Sequence, residues 1–388
     1  MRNHGPLQLT LSRRNWLLLS GAALSACGGG SSTAALPGTG GTGISVQGPI
    51  SGFGSVIINA TTFDDRGAPV LINGVSSLSS DLRIGMVARL AGDLATGSRN
   101  GRASGIEVWS IAQGVLTQTS ANGFVVAGMP VQTDTSTAFD GIANAAALRS
   151  GLCVEVWGLP LSADASSWKA CRVALLAAPD ALNTLVSSGL AHVAGNQTTL
   201  NGLTLVGAAA TGLQDLQLLR VEGTPTGSNV LQVARVTPLL ASTSGPLSAL
   251  VEVDGIVTAI ASPTRFTLGT STVDTRSASF SPQSADSTSL VVGGSVEVTG
   301  SWQAGVLQAT LVEVKDATAG TAIEITGVVD SYVSAAQFTL RGQRCDAGSA
   351  TLAGGVLGSL RAGMKVQAKG LSSGDETLLL TELYLNVP

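Results

Sequence analysis

The chain has 388 residues, of which 12% are charged and 4% aromatic, with 25 acidic side chains against 21 basic ones. That balance argues against a nucleic-acid partner, because phosphates call for clustered lysine and arginine and single strands call for aromatic platforms. Its 49 glycines, among many valines, threonines and serines, indicate short strands joined by tight turns.

Arg2, Arg13 and Arg14 come first, with no acidic residue before Cys27. The apolar run that follows, Trp16–Leu19 and Ala22–Leu24, is shorter than the about 20 residues of a bilayer crossing. Charge, a short apolar core and small residues together make the order of an export signal. Leu24-Ser25-Ala26-Cys27 resembles the lipobox of bacterial lipoproteins, which implies cleavage between Ala26 and Cys27 and a lipid on the Cys27 sulfur. Arg13-Arg14, within Ser12–Leu17, resembles the twin-arginine export motif, and Sec export is the alternative. Gly28, in place of Asp after the lipidated cysteine, points to the outer membrane as the location. Residues 1–26 are thus expected to be a lipoprotein signal peptide, and 27–43 a lipidated cysteine with a flexible Gly- and Ser-rich tether. Gly38–Gly43 fits G-x-G-x-x-G, but a tether precedes it and a strand-like run follows, so it is no dinucleotide site.

An internal repeat organises the rest. Its marker is Leu-x-x-Gly followed by an alternating strand that ends in glycine. It occurs at Leu82–Gly92, Leu148–Gly158, Leu290–Gly300 and Leu360–Gly370, with a degraded copy at Leu216–Gly223. A second strand follows each marker, and three strand-like runs precede it. The expected boundaries are 44–113, 114–181, 182–244 (degenerate), 245–320 and 321–388. Three strands, a short linker and two strands is the order of an OB-type barrel. The expected fold is therefore all-β, a tandem array of five small OB-like five-stranded β-barrels. Other small barrels, a sandwich, a propeller or a solenoid are the alternatives. An immunoglobulin-like unit needs about 100 residues and seven strands, more than one repeat offers.

The first copy, Gly48–Gly92, carries a family resemblance. Its Gly48-x-Ile50-x-x-Phe53-Gly54-Ser55 start, its asparagine turn and its Asp81-Leu82-x-x-Gly85-Met86 resemble bacterial lipoproteins built of the repeat called domain of unknown function 5666. The resemblance is sharpest in this copy and weakest in the third. It implies a lipoprotein localisation and brings no activity with it.

Catalytic sets are missing from the sequence. After the leader the sole histidine is His192, read as a structural strand residue. No zinc-ligand cluster, phosphate loop or nucleophile elbow occurs, so neither metal nor cofactor is expected. Asp64-Asp65-Arg66 reads as a solvated turn. Of Trp109, Trp157, Trp168 and Trp302, Trp157 alone falls out of phase with its strand's core residues, and all four are expected to cap barrels or to pack between units. Beyond Cys27 the cysteines are Cys153, Cys171 and Cys345, an odd number. An exported compartment permits a Cys153–Cys171 disulfide, but Cys153 is out of phase with Val154 and Val156, which favours three unpaired thiols. The expected function is that of a non-enzymatic, lipid-anchored envelope protein, held to the membrane by its lipid and binding or scaffolding an envelope protein or glycan. The alternative is a periplasmic OB-type module for a small cationic ligand or peptide.

Overall fold

The computed structural model describes residues 43–95, 97–176, 184–239, 250–316, 320–385 and 387. Arg13, Arg14, Ala26 and Cys27 lie outside the described residues. Among those described there is no α-helix, only strands and single 3-10 turns.

Five segments, 43–108, 112–175, 185–238, 250–314 and 322–385, repeat one plan and are called here the first to fifth units. In the fourth unit, Leu250–Ser262 pairs antiparallel with Arg265–Leu268, which pairs antiparallel with Ser271–Asp274. Ser271–Asp274 runs parallel to Val306–Val314, which pairs antiparallel with Ser295–Gln303. Ser295–Gln303 then returns to Leu250–Ser262. The ring of pairings closes, while the first half of Leu250–Ser262 keeps one edge unpaired within its own unit. The same circuit recurs in the second and fifth units. It also recurs in the first unit, and in the third with its opening strand broken at Ala191.

Two glycines of the marker have separate mechanical causes. The closing glycines Gly92, Gly158, Gly223, Gly300 and Gly370 each sit at a register shift of their hairpin. A Cβ there would stand 2.1–2.5 Å from a carbonyl oxygen of the facing strand, so only glycine fits. The inner glycines Gly85, Gly151, Gly293 and Gly363 have φ of +81° to +90°, and each amide donates to the opening strand of its unit. In the third unit the residue making that bond is Leu216, at φ +60°. The degraded marker therefore begins at Leu213, three residues earlier than the sequence suggests, with Leu216 in the glycine's place.

The units pack around the first. Ile44–Gln47 pairs parallel with Leu250–Val253 of the fourth unit, and Gly52–Phe53 pairs parallel with Glu324–Ile325 of the fifth. The buried side chains of the first and fifth units form one continuous apolar cluster, whereas the second, third and fourth have cores of their own. Trp157, from the second unit, is 2% exposed and belongs to the cluster of the first and fifth. Its phase break thus marks a side chain turned out of its own unit and into a neighbour.

Candidate binding site

Three contacts made by the first unit hold most of the buried charge. At the contact with the second and third units, Asn73 and Gly74 form a turn with φ of +53° and +76°. Asn73 Nδ2 donates to Glu155 Oε1 at 2.8 Å, and Asn73 Oδ1 accepts from the Ser110 amide at 2.9 Å. Arg220, 1% exposed, donates through Nε to Ser110 O at 2.7 Å and through Nη1 to Glu222 Oε2 at 3.0 Å. Its Nη2 donates to Asn73 Oδ1 at 3.3 Å, and its guanidinium lies 5.2 Å from the Trp109 ring centre. Arg235 donates to Asn73 O at 3.0 Å and pairs with Glu222. Two arginines face two glutamates, and Arg220 is bonded through all three nitrogens.

The contact with the second and fifth units is built differently. A cavity of about 140 Å³ opens there, lined by Arg83, Arg172, Arg341 and Arg344, with Asp140 and Glu376 as its carboxylates. Arg172, 3% exposed, pairs with Asp140 and donates through Nη1 to Ile84 O at 3.1 Å. Glu376 pairs with Arg344 at 3.1 Å and accepts from the Gly141 amide at 2.8 Å. Arg83 and Arg341 bond to main-chain carbonyls instead: Arg83 to Leu82 O at 2.9 Å, Arg341 to Ser79 O at 3.0 Å. Arg341 also lies over the Phe53 ring, 4.5 Å from its centre. The Nε atoms of Arg172 and Arg341 are buried without a hydrogen-bond partner. Burial brings the Arg172 guanidinium down to about 10, with Asp140 opposing the fall and Arg83 adding to it. Burial lowers Arg341 as well, with Asp65 and Asp330 opposing and Arg83 again adding.

At the contact with the fourth unit the excess is negative. Lys315 Nζ bonds to Asp254 at 2.9 Å and pairs with Glu297 at 3.4 Å. Glu252 and Glu297 are 7% and 9% exposed. Burial pushes Glu297 up to about 8, Lys315 opposing and Glu252, Asp254 and Glu313 adding to the rise. Burial also raises Glu252, against bonds to Asn59 and Glu297 and the charges of Arg99 and Lys315. A second cavity, about 130 Å³ and bordered by Trp109, Trp168, Trp302, Leu159 and Ile256, is largely apolar.

Residues 113–173, 254–313 and 326–382 match the family model described as Domain of unknown function (DUF5666). The chain is similar to this family in these three regions. The three matches fall on the second, fourth and fifth units. The first unit, whose residues carry the resemblance most visibly, lies outside them, as does the degraded third. No curated protein matches the chain.

The residues singled out by sequence are scattered rather than gathered. His192 is exposed on a strand of the third unit. Cys153, Cys171 and Cys345 are buried and unbridged. The Cys153–Cys171 disulfide is not made, for a reason of register. Cys171 sits at the hairpin's register shift, whereas the Cys153 carbonyl accepts from the Leu176 amide five positions along. Five strand residues span about 16 Å, well past the roughly 7 Å reach of a disulfide. Asp64 and Arg66 form a bidentate pair at an exposed turn, with bonds of 2.7–3.1 Å, and Arg66 holds the Asp64 carboxyl down to about 2. Asp274 and Arg276 repeat this turn in the fourth unit. Among the described residues no group of three His, Cys, Asp or Glu is placed to hold a metal.

The cavity arginines escaped the sequence reading, although two signals were present. Arg172 interrupts an apolar run, Cys171 and Val173 standing on either side. Arg341 occupies a two-residue turn whose counterparts in the other units begin with Asn59, Ala127, Asn201 and Gly269. For Arg341 the informative feature is the one repeat member that differs, whereas Arg172 shares its register position with Arg235 of the third unit.

Proposed function

We propose that this is a non-enzymatic, lipid-anchored protein of the bacterial cell envelope, in which five OB-type barrels form a compact binding or scaffolding array. The strand circuit supports the barrel assignment: three antiparallel strands, a third parallel to the fifth, and a fourth returning to the first is OB order. The observation that carries the array reading is the place of the first unit, which bonds to the second and third through Asn73 and pairs strands with the fourth and fifth. A central member held by four neighbours suits a body that presents several surfaces at fixed angles. The lipid on Cys27 holds it to the outer membrane, and an envelope protein or glycan is its partner. The test of the anchor is detergent phase partitioning: the chain enters the detergent phase, and Cys27→Ser moves it to the aqueous phase. Unchanged partitioning of the variant removes the anchor from the proposal.

A second reading, a small-ligand module, is supported by the cavity among the first, second and fifth units. Its arginines favour an anionic ligand over the cationic one suggested by the acidic composition.

A further inference from the structure

The geometry points to an oxyanion site: we infer that the cavity lined by Arg83, Arg172, Arg341 and Arg344 binds a small free oxyanion, a phosphate, sulfate or carboxylate compound. This deepens the small-ligand reading and is independent of the lipid anchor.

Four observations carry it. The first is charge: four guanidiniums line the cavity against two carboxylates, and both carboxylates are engaged, Asp140 by Arg172 and Glu376 by Arg344 and the Gly141 amide. Asp65 and Asp330 approach Arg341 from outside the lining, where Asp65 accepts from Ser79 and Asp330 from the Gly342 amide. The second is unused donor capacity. Arg172 is 3% exposed with its Nε unpartnered, and Arg341 Nε is likewise buried and unpartnered. A buried donor left without an acceptor is costly, more so when charged, so a native structure that keeps two beside one cavity is short of an acceptor. The third is mutual repulsion, since the charge of Arg83 weighs against protonation of both Arg172 and Arg341. An anion among the three reverses that sign. The fourth is shape. Gly342, at φ +74°, lines the cavity where a Cβ would lie 2.8 Å from Arg83 Nε, so glycine lets that guanidinium lie against the turn. At about 140 Å³ the cavity has room for much more than one water molecule. Planar guanidiniums with paired N–H groups suit bidentate recognition of phosphate or carboxylate.

The full chain in detergent is titrated calorimetrically with phosphate, sulfate and citrate, with chloride replaced to hold ionic strength constant. The expected result is saturable 1:1 binding of at least one of them. Arg83→Gln and Arg341→Gln each weaken it tenfold or more, and Arg361→Gln, an exposed arginine outside the cavity, leaves it unchanged. Gly342→Ala keeps every charge and weakens binding through the displaced Arg83. Should a buried-arginine variant fail to fold, Arg344→Gln, whose side chain is 58% exposed, carries the same test. Absence of saturable binding for all three anions overturns the proposal. So does binding that is indifferent to the cavity variants, or equally weakened by Arg361→Gln. None of these outcomes bears on the detergent partitioning that tests the anchor.

Discussion

The two three-way contacts of the first unit use the same materials and end in opposite states. At the contact with the second and third units, two arginines meet two glutamates, and Arg220 is bonded through every nitrogen. At the contact with the second and fifth, four arginines meet two lining carboxylates, two Nε atoms lack acceptors and a cavity stays open. Both bury arginine, which is costly unless the charge is paired and its donors are satisfied. The first contact meets that condition internally and acts as a rivet. The second meets it only in part, and its shortfall has the sign and geometry of an anion.

The sharpest way to break this comparison is to remove one arginine from each side. Arg220→Met leaves Glu222 with Arg235 as its remaining partner, takes a buried donor from Ser110 O and Asn73 Oδ1, and should cost about 3–5 kcal/mol in urea unfolding. Arg172→Met should cost about 1–3 kcal/mol, because its partner Asp140 is 49% exposed and water can replace the lost bond. The reverse order would undo the distinction between a sealed contact and an open one.

The contact with the fourth unit supplies the opposite charge and predicts a pH dependence. Glu252 and Glu297 have raised pKa values in the fold, so the folded state binds more protons than the unfolded one. The stabilisation is complete below the ordinary glutamate range near 4.5 and is lost as pH rises through about 8. Each proton so bound adds at most about 1.4 kcal/mol per pH unit to the slope. Thermal melting between pH 5 and 8 should fall steadily, and Glu297→Gln should flatten that fall. A profile that rises with pH would contradict the assignment. Glu252, Asp254, Glu313, Lys315, Arg99 and Asn59 are the groups that set it.

Smaller effects sharpen the comparison at the turn glycines. Gly74→Ala would put a Cβ 2.9 Å from the Trp109 ring and 2.8 Å from Arg235, in a turn at φ +76°. Gly342→Ala meets only the long Arg83 side chain. Costs of about 2–3 and about 1–2 kcal/mol are expected, read by the same unfolding assay. Smallest is a gain: Leu216→Gly relieves a left-handed conformation at an exposed side chain and should stabilise the chain by about 1 kcal/mol.

Much of the architecture was readable because one plan is written several times. The closing glycine of the marker encodes a bulge at which the facing carbonyl excludes any Cβ. The misplaced phase of Trp157 encodes a neighbour. The third copy misled by its wording: with Leu216 in the glycine's place, the eye slides three residues along to the next leucine. The cavity was legible only in fragments. Arg83 and Arg172, or Arg172 and Arg341, meet through the packing of separate units, and no periodicity within one repeat records which unit will be its neighbour.

The parallel pairing of Ile44–Gln47 with Leu250–Val253 joins strands more than 200 residues apart in the chain. The first unit to be synthesised is therefore among the last to have its outer strand covered. Its own ring closes locally, but the surface meant for the fourth and fifth units faces solvent until most of the polypeptide has been made. Loop closure over such a distance is slow compared with folding inside a unit. Assembly thus proceeds in two tempos, quick rings and a late gathering around the centre, and a chain cut short after the third unit would leave its hub as an exposed, sticky edge.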